Sequence, residues 1–240
     1  MVSLERTNAP ETDDVAQGAP TLPDAKGRFR SLVVPVVLVD SAFATLALAN
    51  FALAGFLSVQ VVRLLRTFAH VGIDDSAWMA TQRTISRLPS DALGTFPYLA
   101  LPLVFLFLYV ANKNLDALRA TVAPPRAHGV GGALLLRPLF MASAAWLGSD
   151  PKRLVTRSTG ADEPAALWWL SLFVYGTTLL IERYVPPLEA GAPAWQWSLT
   201  LGVLATLSLL RAAACVGTIY FVHALTARQR ARRALLTGIG

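Results

Sequence analysis

Val130–Leu147 reads VGGALLLRPLFMASAAWL, a stretch apolar enough to suggest a membrane span yet interrupted at mid-length by Arg137 and Pro138. Whether it crosses decides the architecture, because four other apolar runs surround it: Leu32–Val62, Ala92–Asn112, Ala165–Ile181 and Trp195–Leu225. Each of the four approaches or exceeds the roughly 20 residues that carry a helix across about 30 Å of hydrocarbon.

The basic residues discriminate between the two topologies. If Val130–Leu147 crosses, the chain has five spans, with seven Lys and Arg inside and eleven outside when Arg183 in the short loop and Arg137 and Arg211 within runs are set aside. If it does not, everything from Lys113 to Arg157 shares one side with Arg6, Lys26, Arg28 and Arg30 and with Arg228, Arg230, Arg232 and Arg233. Fifteen basic residues then lie inside, against Arg63, Arg66, Arg83 and Arg87 in the outer loop. Cytoplasmic loops carry the excess of Lys and Arg, so the four-span arrangement is selected. The expected fold is therefore all-α: an integral membrane bundle of four transmembrane helices plus a cytoplasmic interfacial or re-entrant helix. That helix would turn Leu135, Leu139 and Trp146 to the apolar side and let Arg137 reach the headgroups. The expected organisation is a disordered cytoplasmic tail over residues 1–30, a membrane domain over 31–225 and a basic cytoplasmic tail over 226–240. Both termini are expected in the cytoplasm, with the chain in the inner (plasma) membrane.

Composition agrees with this class. The 240 residues are 54% hydrophobic and 15% charged, with a mean hydropathy of +0.49; a soluble globule of this size would have too little polar surface. The net charge of +6 sits beside apolar spans. That placement points to anionic inner-leaflet lipids as partners and away from nucleic acid. Cys215, the single cysteine, lies inside the last run as a small packing residue and permits no intramolecular disulfide. Residues 1–30 contain Pro10, Pro20 and Pro23 and no apolar core of the kind a signal peptide needs.

The connecting segments fit the same layout. Asp74, Asp75 and Ser76 offer a helix start, and Trp78, Ile85 and Leu88 could form one apolar face before Pro89. Trp195 and Trp197 stand where an outer aromatic belt belongs, and Trp168 and Trp169 where an inner one does.

Five places carry a resemblance: Asn112-Lys113-Asn114-Leu115-Asp116-Ala117-Leu118 after the second span, Arg137-Pro138, Trp146 with Ser149-Asp150-Pro151, the Trp168-Trp169 pair, and Thr226-Ala227-Arg228-Gln229. In this order and spacing the chain resembles an uncharacterised family of bacterial four-helix membrane proteins, most closely from Phe105 to Arg233. The family usually has an aromatic-rich stretch with a proline and an asparagine before the Arg-Pro, where this chain has Gly131-Gly132-Ala133-Leu134-Leu135-Leu136. The resemblance implies four helices and supplies no activity. The motif positions it marks are Asn114, Pro138, Trp146, Ser149, Asp150, Pro151, Trp168, Trp169 and Gln229.

Polar residues inside the spans are the remaining candidates for chemistry. Arg211 falls almost midway along the last run, where a guanidinium costs several kcal/mol unless it meets protein, water or a counter-ion. Asp40 is its leading expected partner and Glu182 the second choice; Asn50, Gln60 and Ser41 could bond between helices. Such a pair reads either as a proton, ion or substrate path or as a structural device fixing helix register. Pro97 and Pro102 in the second run could kink it. His70, His128 and His223 fall at mismatched depths and read as surface residues, which gives no haem or metal ligand set and no expected cofactor. Ser149-Asp150-Pro151 reads as a helix end followed by a turn, not as a nucleophile beside an acid. Ser41, Thr45 and Ala49, Ser198 and Gly202, and Ala213 and Gly217 form small-residue surfaces for close packing within the bundle or against a partner. Three classes follow. The first is a non-catalytic scaffold or accessory subunit of a membrane complex, with membrane-protein partners or a homo-oligomer. The second is a small transporter or channel component using a buried Asp40/Arg211 pair. The third is a lipid-acting membrane enzyme, suggested only by the basic inner surface. The first carries most weight, so the expectation is of no enzyme.

Overall fold

From Val33 to Val62 the chain carries one charged side chain, Asp40. With no polar face to terminate it, this segment forms one uninterrupted helix in the computed structural model, which describes residues 28–68, 79, 83, 90–118, 120–122, 130–150, 155–156, 163–185 and 193–237. Five long helices follow in order: α1 (Val33–Phe68), α2 (Ser90–Ala117), α3 (Val130–Gly148), α4 (Glu163–Tyr184) and α5 (Ala194–Thr237). The starts follow local rules. The Ser31 hydroxyl accepts the Val33 N–H at 3.3 Å as an N-terminal cap, and Pro35, in the first turn, removes a donor that has no helical partner there. At α5, the Pro193 carbonyl accepts the N–H groups of Gln196 and Trp197.

Helices α1 and α5 run antiparallel and share the longest interface. Their register is fixed at two levels: Asp40 faces His223 near one end, and Leu57 and Leu64 pack with Trp197, Leu201 and Ala205 near the other. Helix α4 packs on α5, α2 on α1, and α3 touches both α2 and α4. The larger core gathers Val39, Phe43 and Leu46 of α1, Val104, Phe107 and Leu108 of α2, Ala142 and Ala145 of α3, Trp168 of α4 and Phe221, Val222 and Leu225 of α5. That end also collects Arg28, Arg30, Lys113, Arg228, Arg230, Arg232 and Arg233 and is called the basic end below; the other is the far end.

Three of these helices, over Val33–Arg66, Ala165–Tyr184 and Ala194–Thr237, are long and apolar enough to cross a membrane. Much of their surface faces away from the protein: only 22% of the most apolar window of α4 is buried, and Leu48, Phe51, Phe173, Leu199 and Tyr220 are each more than 60% exposed. A hydrocarbon solvent removes that cost where water could not.

Helix α3 ends at the basic end of the bundle. The segment leaving α2, Thr121–Val122, pairs as a short parallel ladder with Val155–Thr156 ahead of α4, and α3 packs against both strands. Its C-terminus is held at the basic end by contacts of Asp150 with α5.

Several expectations change. The basic tail expected from residue 226 is helix as far as Thr237, with Gln229 and Arg232 buried, because the inward stripe Thr218, Val222, Leu225 continues to Gln229 and Arg232 at three- and four-residue steps. Arg30, assigned to a disordered tail, is docked through its backbone. Trp168 and Trp197 are core residues, 2% and 1% exposed, whereas Trp195 is exposed as a belt residue would be. Trp146 is turned into the bundle against Phe221, not toward an apolar solvent. Helix α2 runs through Pro97 and Pro102. The amphipathic helix expected near residues 74–88, apart from Met79 and Arg83, lies outside the described residues, as do residues 1–27, His70, His128 and Pro151.

Candidate functional site

Five segments distant in sequence meet at the basic end, and the polar residues among them bond mainly to backbone. Asn114, in the last turn of α2, is fully buried. Its Oδ1 accepts the Arg30 N–H at 2.8 Å, and its Nδ2 donates to the Arg30 carbonyl at 3.0 Å and to Gln229 Oε1 at 3.2 Å. Gln229, also fully buried, donates from Nε2 to the Ala111 carbonyl at 2.9 Å. The two amides thus fasten the start of α1, the end of α2 and α5 together. The Ala111 carbonyl lies within α2, one turn ahead of Leu115, so the Gln229 bond ties α5 to the body of that helix, while the Asn114 amide takes up the backbone of the segment that enters α1.

Arg232 performs the same task for the next two segments. Its Nε donates to the Leu118 carbonyl at 2.9 Å and its Nη1 to the Asp150 carbonyl at 2.7 Å. One α5 side chain therefore caps the exit of both α2 and α3. Arg228, one turn earlier, forms a 3.0 Å ion pair with Asp150 Oδ2 and places its guanidinium 4.4 Å from the Trp146 ring centroid. Trp146 stacks on Phe221 and Phe221 on Trp168, at centroid distances of 6.1 and 5.3 Å. The Ser149 hydroxyl donates back to the Ala145 carbonyl, and the turn bonds Ser149 N to Trp146 O and Asp150 N to Leu147 O close α3. Asn112 donates to the Met141 carbonyl at 2.9 Å, joining α2 to α3. The Arg233 guanidinium lies over the Phe29 ring.

Of the motif positions, Asn114, Trp146, Ser149, Asp150, Trp168 and Gln229 come together here. Trp169 packs partly buried at the edge of the same core. Pro138 lies within α3, its side chain outside the described set. Arg228 and Arg232 were not singled out by residue type. The signal that finds them is the buried stripe continuing past the apolar run.

A second polar site lies nearer the far end. Arg211 is 4% exposed; its Nη2 donates to Glu182 Oε2 at 2.5 Å and to the Thr178 carbonyl at 2.9 Å, and its Nε donates to Thr178 Oγ1 at 3.0 Å. Among the described residues the guanidinium is thus held by α4. The expected Asp40–Arg211 pair does not form. In the α1–α5 register Asp40 stands opposite His223, twelve residues from Arg211, or about 18 Å along the helix. Asp40 instead accepts His223 Nε2 through Oδ2 at 2.8 Å. Its Oδ1 is buried without a hydrogen bond among the described residues, and the His223 side chain is 58% exposed. His223, read from sequence as a surface residue, is therefore the counterpart of the carboxylate. Asn50 is buried and turns its amide to the Leu46 carbonyl of its own helix, beside Tyr175 of α4; Gln60 is buried in α1.

Close packing uses one of the small-residue pairs. A Cβ added at Gly217 would stand 2.8 Å from Ser171 Oγ, so this glycine lets α4 approach α5. Ser41, Thr45 and Ala213 face outward. No group of three or more His, Cys, Asp or Glu able to hold a metal occurs among the described residues.

No family model, no curated protein and no solved structure matches the chain.

Proposed function

We propose that the chain is a bacterial inner-membrane protein with four crossing helices, α1, α2, α4 and α5, and that it serves as a non-catalytic scaffold or accessory subunit of a membrane complex. The basic end faces the cytoplasm in this reading, against anionic lipid, and α3 lies at or dips into the inner leaflet. The charge distribution supports the orientation. The ladder between the segments flanking α3 supports a helix that returns to its own side, since an extended linker cannot lie unpaired in hydrocarbon.

The observation that carries the scaffold reading is the direction of the basic-end side chains. Asn114, Gln229 and Arg232 point their donors and acceptors at backbone groups of neighbouring segments. Groups engaged in this way fix a shape and have little capacity left for a substrate. Purification of the tagged protein in mild detergent tests the reading: a membrane partner or second copy should co-purify at fixed stoichiometry. A chain that purifies alone and moves a solute by itself in vesicles would contradict it.

A small transporter or channel component is the second reading, favoured by two acid–base pairs at different depths along α5, Asp40–His223 and Arg211–Glu182. Proteoliposome flux that is lost in His223→Leu and in Glu182→Gln would support it; unchanged flux in both would remove it.

A further inference from the structure

The Asp40–His223 pair is a partly exposed, charged spot on a largely apolar face, with the Ser41 and Thr45 hydroxyls beside it on α1. On α5 the outward stripe runs Ala213, Val216, Tyr220, His223, Ala227, with Val216 57% and Tyr220 74% exposed. On α1, Val37 and Ala44 flank Asp40 and also face outward. The steps of three and four place the α5 residues within one narrow strip of helix surface. In hydrocarbon, apolar neighbours are at no disadvantage, but the imidazole is. It has one nitrogen on Asp40 and the other without a hydrogen bond among the described residues, and an unsatisfied polar group in lipid costs several kcal/mol.

We propose that a second copy of this chain covers this face, in a two-fold dimer whose axis is normal to the membrane and whose interface centres on Asp40 and His223. Such an axis leaves depth unchanged. An acid and a base at one depth on one face therefore meet their opposites on the other copy: Asp40 approaches the partner's His223, and His223 the carboxylate of the other copy. The face is self-complementary in charge, which is what an isologous interface demands. Small side chains at Ala44, Ala213 and Ala227 allow the backbones to come close, and the exposed Tyr220 ring adds contact area. This rests on the membrane-spanning reading and specifies the partner that the scaffold reading leaves open.

The test uses the full chain in native membranes with Cys215→Ala as background and single cysteines at Ala213, Tyr220 and Ala227, compared with Phe173 and Leu180 on the exposed face of α4. Oxidative crosslinking should give homodimers at the three α5 positions in at least fivefold higher yield than at the two α4 positions. His223→Leu should lower that yield at least fivefold, and the exchange Asp40→His with His223→Asp should restore it. Equal yields from both faces, crosslinks to a different protein, or an α5 yield indifferent to His223→Leu would each overturn the dimer. The exchange separates a lost interface from a lost fold, since a misfolded His223→Leu chain would also lose its detergent-stable monomer band. Membrane fractionation is read in the same samples: a chain that fails to sediment with membranes sinks the membrane reading, whereas a membrane-bound monomer sinks only the dimer.

Discussion

The two ends of the bundle solve the burial of polar groups in different ways. At the basic end, Asn114, Gln229 and Arg232 tie α1, α2, α3 and α5 through hydrogen bonds that mostly end on backbone. Toward the far end, Leu57, Leu64, Trp197 and Leu201 form an apolar seam between α1 and α5 among the described residues, and Arg211 is held by two residues of α4, Glu182 and Thr178. Side-chain-to-backbone bonding across several segments makes position at the basic end depend on all of them at once. A two-helix seam with a local ion pair can lose one member and keep the rest. The lesson is that the polar residues fixing this fold lie at the end of the spans, where the chain has orphan carbonyls to satisfy, and less at mid-depth, where the single arginine draws attention.

If that contrast is right, Asn114→Leu should be the most damaging substitution. It removes three hydrogen bonds and leaves the Arg30 backbone groups and Gln229 unsatisfied in a buried place, a loss of about 3 kcal/mol. Unfolding by SDS titration in mixed micelles measures it, and a loss under about 1 kcal/mol would break the comparison. Arg232→Met comes next, at about 2 kcal/mol, since it uncaps Leu118 and Asp150 while keeping a long apolar side chain; freer α3 motion should appear as faster backbone exchange at Leu147–Asp150.

At the far end effects shrink. Glu182 has a side chain 37% exposed, so its Coulomb gain with Arg211 is partly screened. A double-mutant cycle of Arg211→Leu and Glu182→Leu should give a coupling of about 1 kcal/mol, and Arg211→Leu with Asp40→Leu should be additive within about 0.5 kcal/mol. Strong coupling in the second cycle would restore the pairing that the register excludes. Gly217→Ala should have the smallest effect, below about 1 kcal/mol, because the added methyl displaces only the Ser171 hydroxyl, while alanine improves helix propensity. Combined with Ser171→Ala it should become neutral or stabilising; a large loss in the double variant would mean that backbone, not the hydroxyl, blocks the site.

The apolar runs made the helices legible in the sequence, because an uninterrupted 30-residue hydrophobic segment has few alternatives in either water or lipid. Counting charges gives an expected sidedness for Val130–Leu147, with which the short ladder beside α3 is compatible. Glu182 was visible as an alternative partner of Arg211. Neither register nor azimuth was legible. Depth estimates put Asp40 and Arg211 within reach of each other, but which residues meet is set by the antiparallel register of α1 and α5, and that register follows from Leu57, Leu64, Trp197 and Leu201 packing together. The same gap explains Trp168 and Trp197. A tryptophan near a span end satisfies the belt pattern whether it faces lipid or core. Asn114 and Gln229 were marked by motif resemblance without a reason; the reason is the backbone they hold. Arg228 and Arg232 looked like topogenic charge, and only the continuation of the buried stripe beyond Leu225 separates them from Arg230 and Arg233.

Sidedness tests the central claim most directly. Single cysteines at Ala120, Thr156, Arg183 and Arg230, in the Cys215→Ala background, can be exposed to a membrane-impermeant maleimide on intact cells and again after permeabilisation. The four-span arrangement with the basic end inside predicts labelling of Arg183→Cys on intact cells and of Ala120→Cys, Thr156→Cys and Arg230→Cys only after permeabilisation. Labelling of Thr156→Cys from outside while Ala120→Cys stays protected would mean that α3 crosses, and would contradict both the span count and the orientation.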